Sequence, residues 1–234
     1  MIVFYQPDAT AAVLDAEESR HCVKVLRKKN GDTITITDGK GVFYDAVITD
    51  ANADKCRFKI DAQRVMTPRP WHITIAIAPT KSTDRLEWFI EKAVEIGVDK
   101  IILTICDHSE RTHQKADRLH KVAVSAMKQS LNPWLPGIDG PMPFNQVIQH
   151  NHSDERFIAH LDEDEPRQLM RAASPRKSYI VMIGPEGDFS GPELELAAAH
   201  NYRKVSLGAS RLRTETAGMV ACHILTLINF DANL

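Results

Sequence analysis

Two short segments near the C-terminus hold the residues whose types and spacing are best suited to chemistry. One reads Ile183-Gly184-Pro185-Glu186-Gly187-Asp188-Phe189-Ser190, the other Ser206-Leu207-Gly208-Ala209-Ser210-Arg211-Leu212-Arg213-Thr214-Glu215-Thr216-Ala217. Each joins an apolar, strand-like run to a helix-like run, and open α/β sheets place ligands at such carboxyl ends of strands. Gly184 and Gly187 would let the backbone turn and approach a ligand closely. Glu186 is a candidate base, and Arg213 a fixed cation able to steady developing negative charge. The plainer alternatives are that Glu186 caps nearby amides, Glu215 marks a first helical turn and Arg213 is a solvated cation. The spacing indicates one small-ligand pocket built from two adjacent loops, without naming the ligand.

Several chemistries are disfavoured. Neither G-x-G-x-x-G nor G-x-x-x-x-G-K-[ST] occurs, so a classical nicotinamide site and a P-loop lack support. Ser190 and Ser210 lack the G-x-S-x-G elbow of hydrolases. His108 and His113 flank Arg111 without metal-ligand partners at helical spacing and read as solvated loop residues. His223, inside an apolar helical run, reads as packed or at an interface. The four cysteines, Cys22, Cys56, Cys106 and Cys222, are scattered with no C-x-x-C, which argues against zinc and a disulfide framework. They read as small core residues in a reducing compartment. The expectation is no metal.

The elements that must position these loops follow from hydrophobic periodicity. Ser178 to Ile183 is a near-continuous apolar run, as for a strand covered on both faces. Ser190 is an N-cap, Pro192 suits the first turn and Glu193 completes a capping box, so a helix runs to about His200. Arg203 to Leu207 is a short strand, and Thr214 or Thr216 can cap a helix with Met219, Val220, Cys222, Ile224, Leu225 and Leu227 apolar. Further strands are expected at 72–78, 100–106 and 156–161, with helices at 83–96 and 116–129 and a proline-rich loop at 132–143. Strands alternating with helices imply a mostly parallel sheet. Residues 1–67 differ: short strands at 33–37, 42–44, 46–48 and 56–60, with a hairpin signal at Asp38-Gly39, read as a small β-barrel. Thr67-Pro68-Arg69-Pro70 is a stiff linker candidate.

The 234 residues allow one large or two modest domains. A net charge of −2 counts against a non-specific nucleic-acid coat but not against a local basic patch. The best patch runs from Arg20 to Lys29, with His21, Lys24, Arg27, Lys28 and Lys29, and would neutralise phosphates without reading sequence. Its alternative is a solvated turn before Asn30-Gly31. No signal-peptide pattern opens the chain, and no apolar run approaches the roughly 20 residues of a membrane helix. A cytoplasmic protein with no membrane partner is expected.

The two C-terminal segments together resemble the RsmE family, ribosomal RNA small-subunit methyltransferases of the SPOUT (α/β-knot) superfamily. Lys81-Ser82-Thr83-Asp84-Arg85-Leu86-Glu87-Trp88 through Lys92, Glu95, Ile96 and Gly97 is similar to the family's first knot-domain helix. Ser109-Glu110-Arg111 matches its Ser-Glu-Arg loop, and His21-Cys22-Val23-Lys24-Val25-Leu26-Arg27 with Gly31-Asp32 resembles its small barrel domain. The resemblance implies a PUA-like RNA-binding barrel over residues 1–67 and an α/β trefoil-knot SPOUT methyltransferase domain over residues 71–234. It implies methyl transfer from S-adenosylmethionine to N3 of a uridine in 16S ribosomal RNA, within the small ribosomal subunit, by a homodimer joined through the apolar helix from Met219 to Phe230.

The cofactor set carried over is Leu161, Ile183, Gly184, Pro185, Glu186, Gly187, Ser206, Leu207, Gly208, Leu212, Arg213, Thr214, Glu215, Thr216 and Ala217. Within it, Leu161, Ile183 and Leu212 would sandwich the adenine, and Glu215 and Thr216 would hold the loop. Arg111 would join Arg213 and Glu186 in catalysis. Lys81 and Arg85 would join the basic patch on RNA. The chain departs from the family at Asp188, usually glycine, at Ser210, usually arginine, and at Ser130-Leu131-Asn132, often Gly-Arg-Asn. Two further readings stay open: a knotted methyltransferase acting on transfer RNA or a ribose hydroxyl, and a non-catalytic RNA-binding assembly factor.

Overall fold

The computed structural model describes residues 2–160 and 167–231. These form two compact units: Met1–Pro68 with Val124–Leu135, and Arg69–Ala123 with Pro136–Leu234. Strands are β1 (Val3–Tyr5), β2 (Thr33–Thr37), β3 (Val42–Asp50), β4 (Arg57–Val65), β5 (His72–Ile77), β6 (Lys100–Ile105), β7 (Gly137–Pro143), β8 (Glu155–Ala159), β9 (Ser178–Ile183) and β10 (Arg203–Val205). Helices are α1 (Ala16–Arg20), α2 (Thr83–Ile96), α3 (Ala116–Gln129), α4 (Phe144–His150), α5 (Leu169–Ala172), α6 (Gly191–Ala199) and α7 (Thr214–Asp231).

The first unit is a four-stranded sheet in the order β1-β2-β3-β4. Alternation along β2 turns Ile34 and Ile36 inward onto Phe4, Ala46, Ile48 and Phe58. The runs expected at 42–44 and 46–48 are one strand, because a register shift at Asp45/Ala46 absorbs the break in pattern. Residues 12–14 return to the start of β4 through an antiparallel bridge between Val13 and Arg57, curling the sheet.

Segment 124–135 belongs to this unit. The Gly41 N–H donates to Pro133 O, the Leu135 N–H to Gly39 O, and Trp134 bridges Lys40. Gly41 has φ +97, and a Cβ there would stand 2.2 Å from the Trp134 ring. Leu131, in the segment between α3 and Trp134, takes φ 55.

The second unit is a six-stranded sheet in the order β10-β8-β9-β5-β6-β7, with every neighbouring pair parallel. β9 lies between β5 and β8, and its apolar run is buried on both faces. One face packs Phe144, Val147 and Ile148 of α4 and Ala197 of α6 against Ala76, Ile102, Ile158, Ile180 and Met182. On the other side α2 and α7 pack on each other, and α7 on β5 and β9. Leu86, Phe89, Ile90, Ala93 and Val94 of α2, spaced three and four apart, are all buried.

The proline-rich segment 132–143 is not loop throughout. Its second half is β7, an edge strand, where Pro141 and Pro143 are tolerated because one side needs no donor. α4 and α5 also lie beyond the sequence reading, being too short for a helical period to register. All four cysteines are free and buried. Burial pushes the Cys22 thiol up to about 12, so it offers no thiolate at neutral pH.

The Gly41–Trp134 contact yields a stability test. Gly41→Ala adds left-handed strain of about 1–2 kcal/mol to overpacking of about 1–3 kcal/mol. Urea unfolding should show a loss of about 3 kcal/mol in the first unit's stability; a change below about 0.5 kcal/mol, ordinary for surface sites, contradicts the tight contact.

Candidate functional site

Because β8, β9 and β10 are parallel neighbours, the segments leaving them emerge on one edge. There they line a cavity of about 640 Å³, within the range of small-molecule pockets. Its wall is apolar at Ala159, Ile183, Val205, Leu207, Leu212 and Ala217, and polar at His160, Glu186, Asp188, Ser206, Ser210, Arg211, Arg213 and Thr214.

The first loop is held from behind. Ser190 caps α6 and forms a complete capping box with Glu193. Glu193 is buried, and its carboxylate takes the N–H groups of Ser190 (2.8 Å) and Asp107 (3.0 Å), tying the loop to the end of β6. Phe189 turns inward onto Phe144, ring centroids 5.7 Å apart. His108 Nδ1 reaches the carbonyls of Gly187 (3.1 Å) and Asp188 (2.9 Å).

The left-handed residue of this loop is Asp188, φ 63, and not Gly184 or Gly187. Gly184 is favoured by packing instead: a Cβ there would crowd the Phe189 ring at 3.1 Å. Asp188 tolerates the conformation because its Oδ1 accepts from the Phe189 N–H at 2.8 Å, a short-range bond open to Asp and Asn. Its Oδ2 lies 2.9 Å from His160 Nδ1.

The second loop opens with Ser206, whose hydroxyl accepts from the Gly208 N–H at 3.2 Å. Gly208 has φ +146, and no atom lies within 4 Å of where its Cβ would stand. The backbone is thus bare toward the cavity. Two bonds lace the loops together. Thr214 does not spend its hydroxyl on its own helix but donates to Gly184 O (3.1 Å). Arg211 donates to Glu186 O (3.1 Å).

The structure brings together Ile183, Gly184, Pro185, Glu186, Ser206, Leu207, Gly208, Leu212, Arg213, Thr214 and Ala217 of the expected cofactor set. Gly187, Glu215 and Thr216 stand off the lining. Gly187 presents its carbonyl to His108, and Glu215 is buried, facing Arg85 Nε at 3.8 Å. Leu161 lies outside the described residues. Arg111 is not brought to this cavity. It lines a second one, of about 630 Å³, with Glu110, His113, Gln114 and Lys115, and donates to the Thr83 hydroxyl.

Lys81 pairs with Glu110 at 2.6 Å, which raises its ammonium pKa, and its N–H reaches Glu186 Oε1 at 3.4 Å. In the first unit Lys24, Arg27 and Lys29 are exposed, Arg20 faces Asp54 at 3.6 Å, and Lys28 donates to Thr33 O at 3.2 Å. His223 is exposed, not packed.

Sequence reasoning missed His160, which lies one residue past β8 inside a run read as strand to 161, and so looked structural. It also missed the loop-lacing role of Arg211. Among the described residues no cluster of three His, Cys, Asp or Glu suits a metal ion, and no helix is long and apolar enough to cross a membrane.

Comparison with known proteins bears on this geometry. Residues 67–226 match the model of the RNA methyltransferase domain, and residues 14–61 that of the RNA methyltransferase PUA domain. A ribosomal RNA small subunit methyltransferase E of Rickettsia conorii is 29% identical, over 89% of this chain and 86% of its own. One from Bacillus subtilis is 26% identical over 97% and 93%. A crystal structure of a probable rRNA-methyltransferase from Porphyromonas gingivalis superposes with a TM-score of 0.92 at 42% identity, covering 99% of this chain and 100% of that one. A ribosomal RNA small subunit methyltransferase E from Neisseria gonorrhoeae, bound to S-adenosyl methionine, has a TM-score of 0.88 at 25% identity, covering 98% of each chain.

The capping box is the part of this wall most open to a direct test. Ser190→Ala removes the cap and should lower stability by about 1 kcal/mol, read as a shift in the urea midpoint at unchanged slope. No shift would mean that the Glu193 carboxylate holds the loop without it.

Proposed function

The chain belongs to the RNA methyltransferase family, and we propose that it transfers a methyl group from S-adenosylmethionine to N3 of a uridine in 16S ribosomal RNA. The observation that carries the reading is the cavity at the ends of β8, β9 and β10, in a chain similar over nearly its full length to small-subunit methyltransferases E. When bound, S-adenosylmethionine supplies a methyl group on a positively charged sulfur.

The residues present fit that group. The Gly208 backbone is an open cradle that any Cβ would fill, leaving peptide groups of the second loop accessible to an adenine edge. Ile183 and Leu212 offer apolar faces to a flat ring. The lacing of Thr214 to Gly184 and of Arg211 to Glu186 keeps the loops preorganised, which lowers the ordering cost of binding. Methyl transfer from a sulfonium is a direct displacement, so alignment of the acceptor nitrogen matters more than any covalent intermediate. Arg213, exposed at the cavity wall, is suited to steady the uracil as it loses its N3 proton. Lys24, Arg27 and Lys29 would contact phosphates and position the RNA without reading its sequence. Such an enzyme works in the cytoplasm, where ribosomal subunits mature.

Small subunits from cells lacking this protein are the substrate for the test, with the full-length protein, methyl-labelled S-adenosylmethionine and mass spectrometry of the nucleosides. One 3-methyluridine in 16S RNA is expected. Arg213→Ala should slow its formation about 10²-fold, as removal of one charge-stabilising donor does. Label on a ribose or on transfer RNA would redirect the reading. Cofactor binding without any transfer would favour a non-catalytic assembly factor.

A homodimer through α7 is part of the proposal. Leu227 and Phe230, three residues apart on that helix, are 42% and 66% exposed, an apolar stripe that water does not favour. Light scattering at micromolar concentration should give twice the chain mass, and Phe230→Asp should give the single mass. A monomeric parent protein contradicts this part.

A further inference from the structure

Resting on that reading, we infer that His160 accepts the N3 proton of the target uridine, and that Asp188 is the positioning residue that turns His160 to the task. The two side chains come from neighbouring strand ends and share the wall of the cavity. Asp188 Oδ2 lies 2.9 Å from His160 Nδ1. The approach is short but off the line of an ideal hydrogen bond. Nδ1 is sealed from solvent and makes no hydrogen bond as the side chains stand, with the Asp188 carboxylate beside it. A carboxylate that close can accept only if Nδ1 carries the proton, which leaves the lone pair on Nε2. The imidazole side chain keeps 16% of its surface and lines the cavity, and with Nδ1 sealed we assign Nε2 the role of meeting the substrate.

The carboxylate is fixed as well as close. Its other oxygen holds the Phe189 N–H at 2.8 Å, and its backbone carbonyl is held by His108 at 2.9 Å. The left-handed φ of 63 at Asp188 is what aims this side chain across the loop. Where glycine occupies this position no carboxylate exists, so the arrangement belongs to chains of this type.

The chemistry needs such a group. Uracil N3 bears a weakly acidic hydrogen, and a base works best when its affinity for protons approaches that of the site it strips. As side-chain types, an imidazole comes nearer to that match than a carboxylate does. Glu186 is engaged with the Lys81 N–H. In the step, the N3–H bond breaks and its proton passes to Nε2 of His160. The electron pair left on N3 forms the bond to the methyl carbon. The carbon–sulfur bond breaks and its pair returns to sulfur, leaving a neutral thioether. No further reactant is needed.

The test compares the parent protein with His160→Ala, His160→Asn and Asp188→Asn. Calorimetry with S-adenosylmethionine, single-turnover transfer to unmethylated small subunits, and ¹⁵N imidazole spectra of the free protein are the readouts. Both His160 variants should bind cofactor as the parent does yet transfer at least about 10²-fold more slowly. Added imidazole should restore part of the His160→Ala rate. The parent spectrum should show His160 protonated on Nδ1. Asp188→Asn keeps the shape and the left-handed turn but can offer N–H to Nδ1, so the tautomer should reverse and the rate fall with it.

A His160 variant as fast as the parent overturns the inference. So does a loss of cofactor affinity equal to the loss of rate, which would make His160 a cofactor contact. A parent tautomer protonated on Nε2 also overturns it. A parent protein that binds cofactor but methylates no small subunit overturns the functional reading itself, a result distinct from these.

Discussion

The site depends on one constraint: strands β8, β9 and β10 run in the same direction side by side. Parallel neighbours must return through crossovers, so their carboxyl ends share an edge and their exit loops share a space. The apolar run from Ser178 to Ile183 enforces this, because a strand buried on both faces can only sit inside the sheet, between β5 and β8. The loops that carry Glu186 and Arg213 are thereby brought to one cavity before any specific bond forms between them. The bonds from Thr214 to Gly184 and from Arg211 to Glu186 then hold a geometry that topology has already supplied.

Much of this was legible from residue pattern. The strand at 178–183, the capping box of Ser190 and Glu193 and the helices at 83–96 and 116–129 stand where periodicity and cap chemistry put them. Periodicity failed where elements are short or hold few turns. β7 carries Pro141 and Pro143 and survives only as an edge, a fact of sheet order that no local window contains. Which cation faces the cavity was also hidden. Arg111 and Arg213 look alike in sequence, but Arg111 spends its guanidinium on Thr83 in a separate cavity. His160 was invisible for the opposite reason: one residue past a strand end looks like strand until its neighbour across the sheet is known.

Asp188 shows how one residue can meet a backbone need and place a carboxylate at the same time. The loop needs a left-handed residue at this point, and glycine supplies it without steric cost. Aspartate supplies it too, by bonding to the next amide, and in doing so adds a charge at the cavity wall. The same bond that makes the substitution tolerable fixes the direction of that charge. Backbone need and side-chain opportunity therefore coincide at a single position.

The membership of residues 124–135 in the first unit has a consequence for how the chain is made. Synthesis delivers residues 1–68 long before Trp134 exists to cover Gly41 and before Leu135 can pair with Gly39. The nascent sheet therefore waits, with that edge open, while residues 69–123 of the other unit are translated. It closes only when the stretch through Leu135 has cleared the exit tunnel. A truncation at the linker near Pro68 yields a sheet missing one wall, because the segment that completes the first unit is translated only after part of the second.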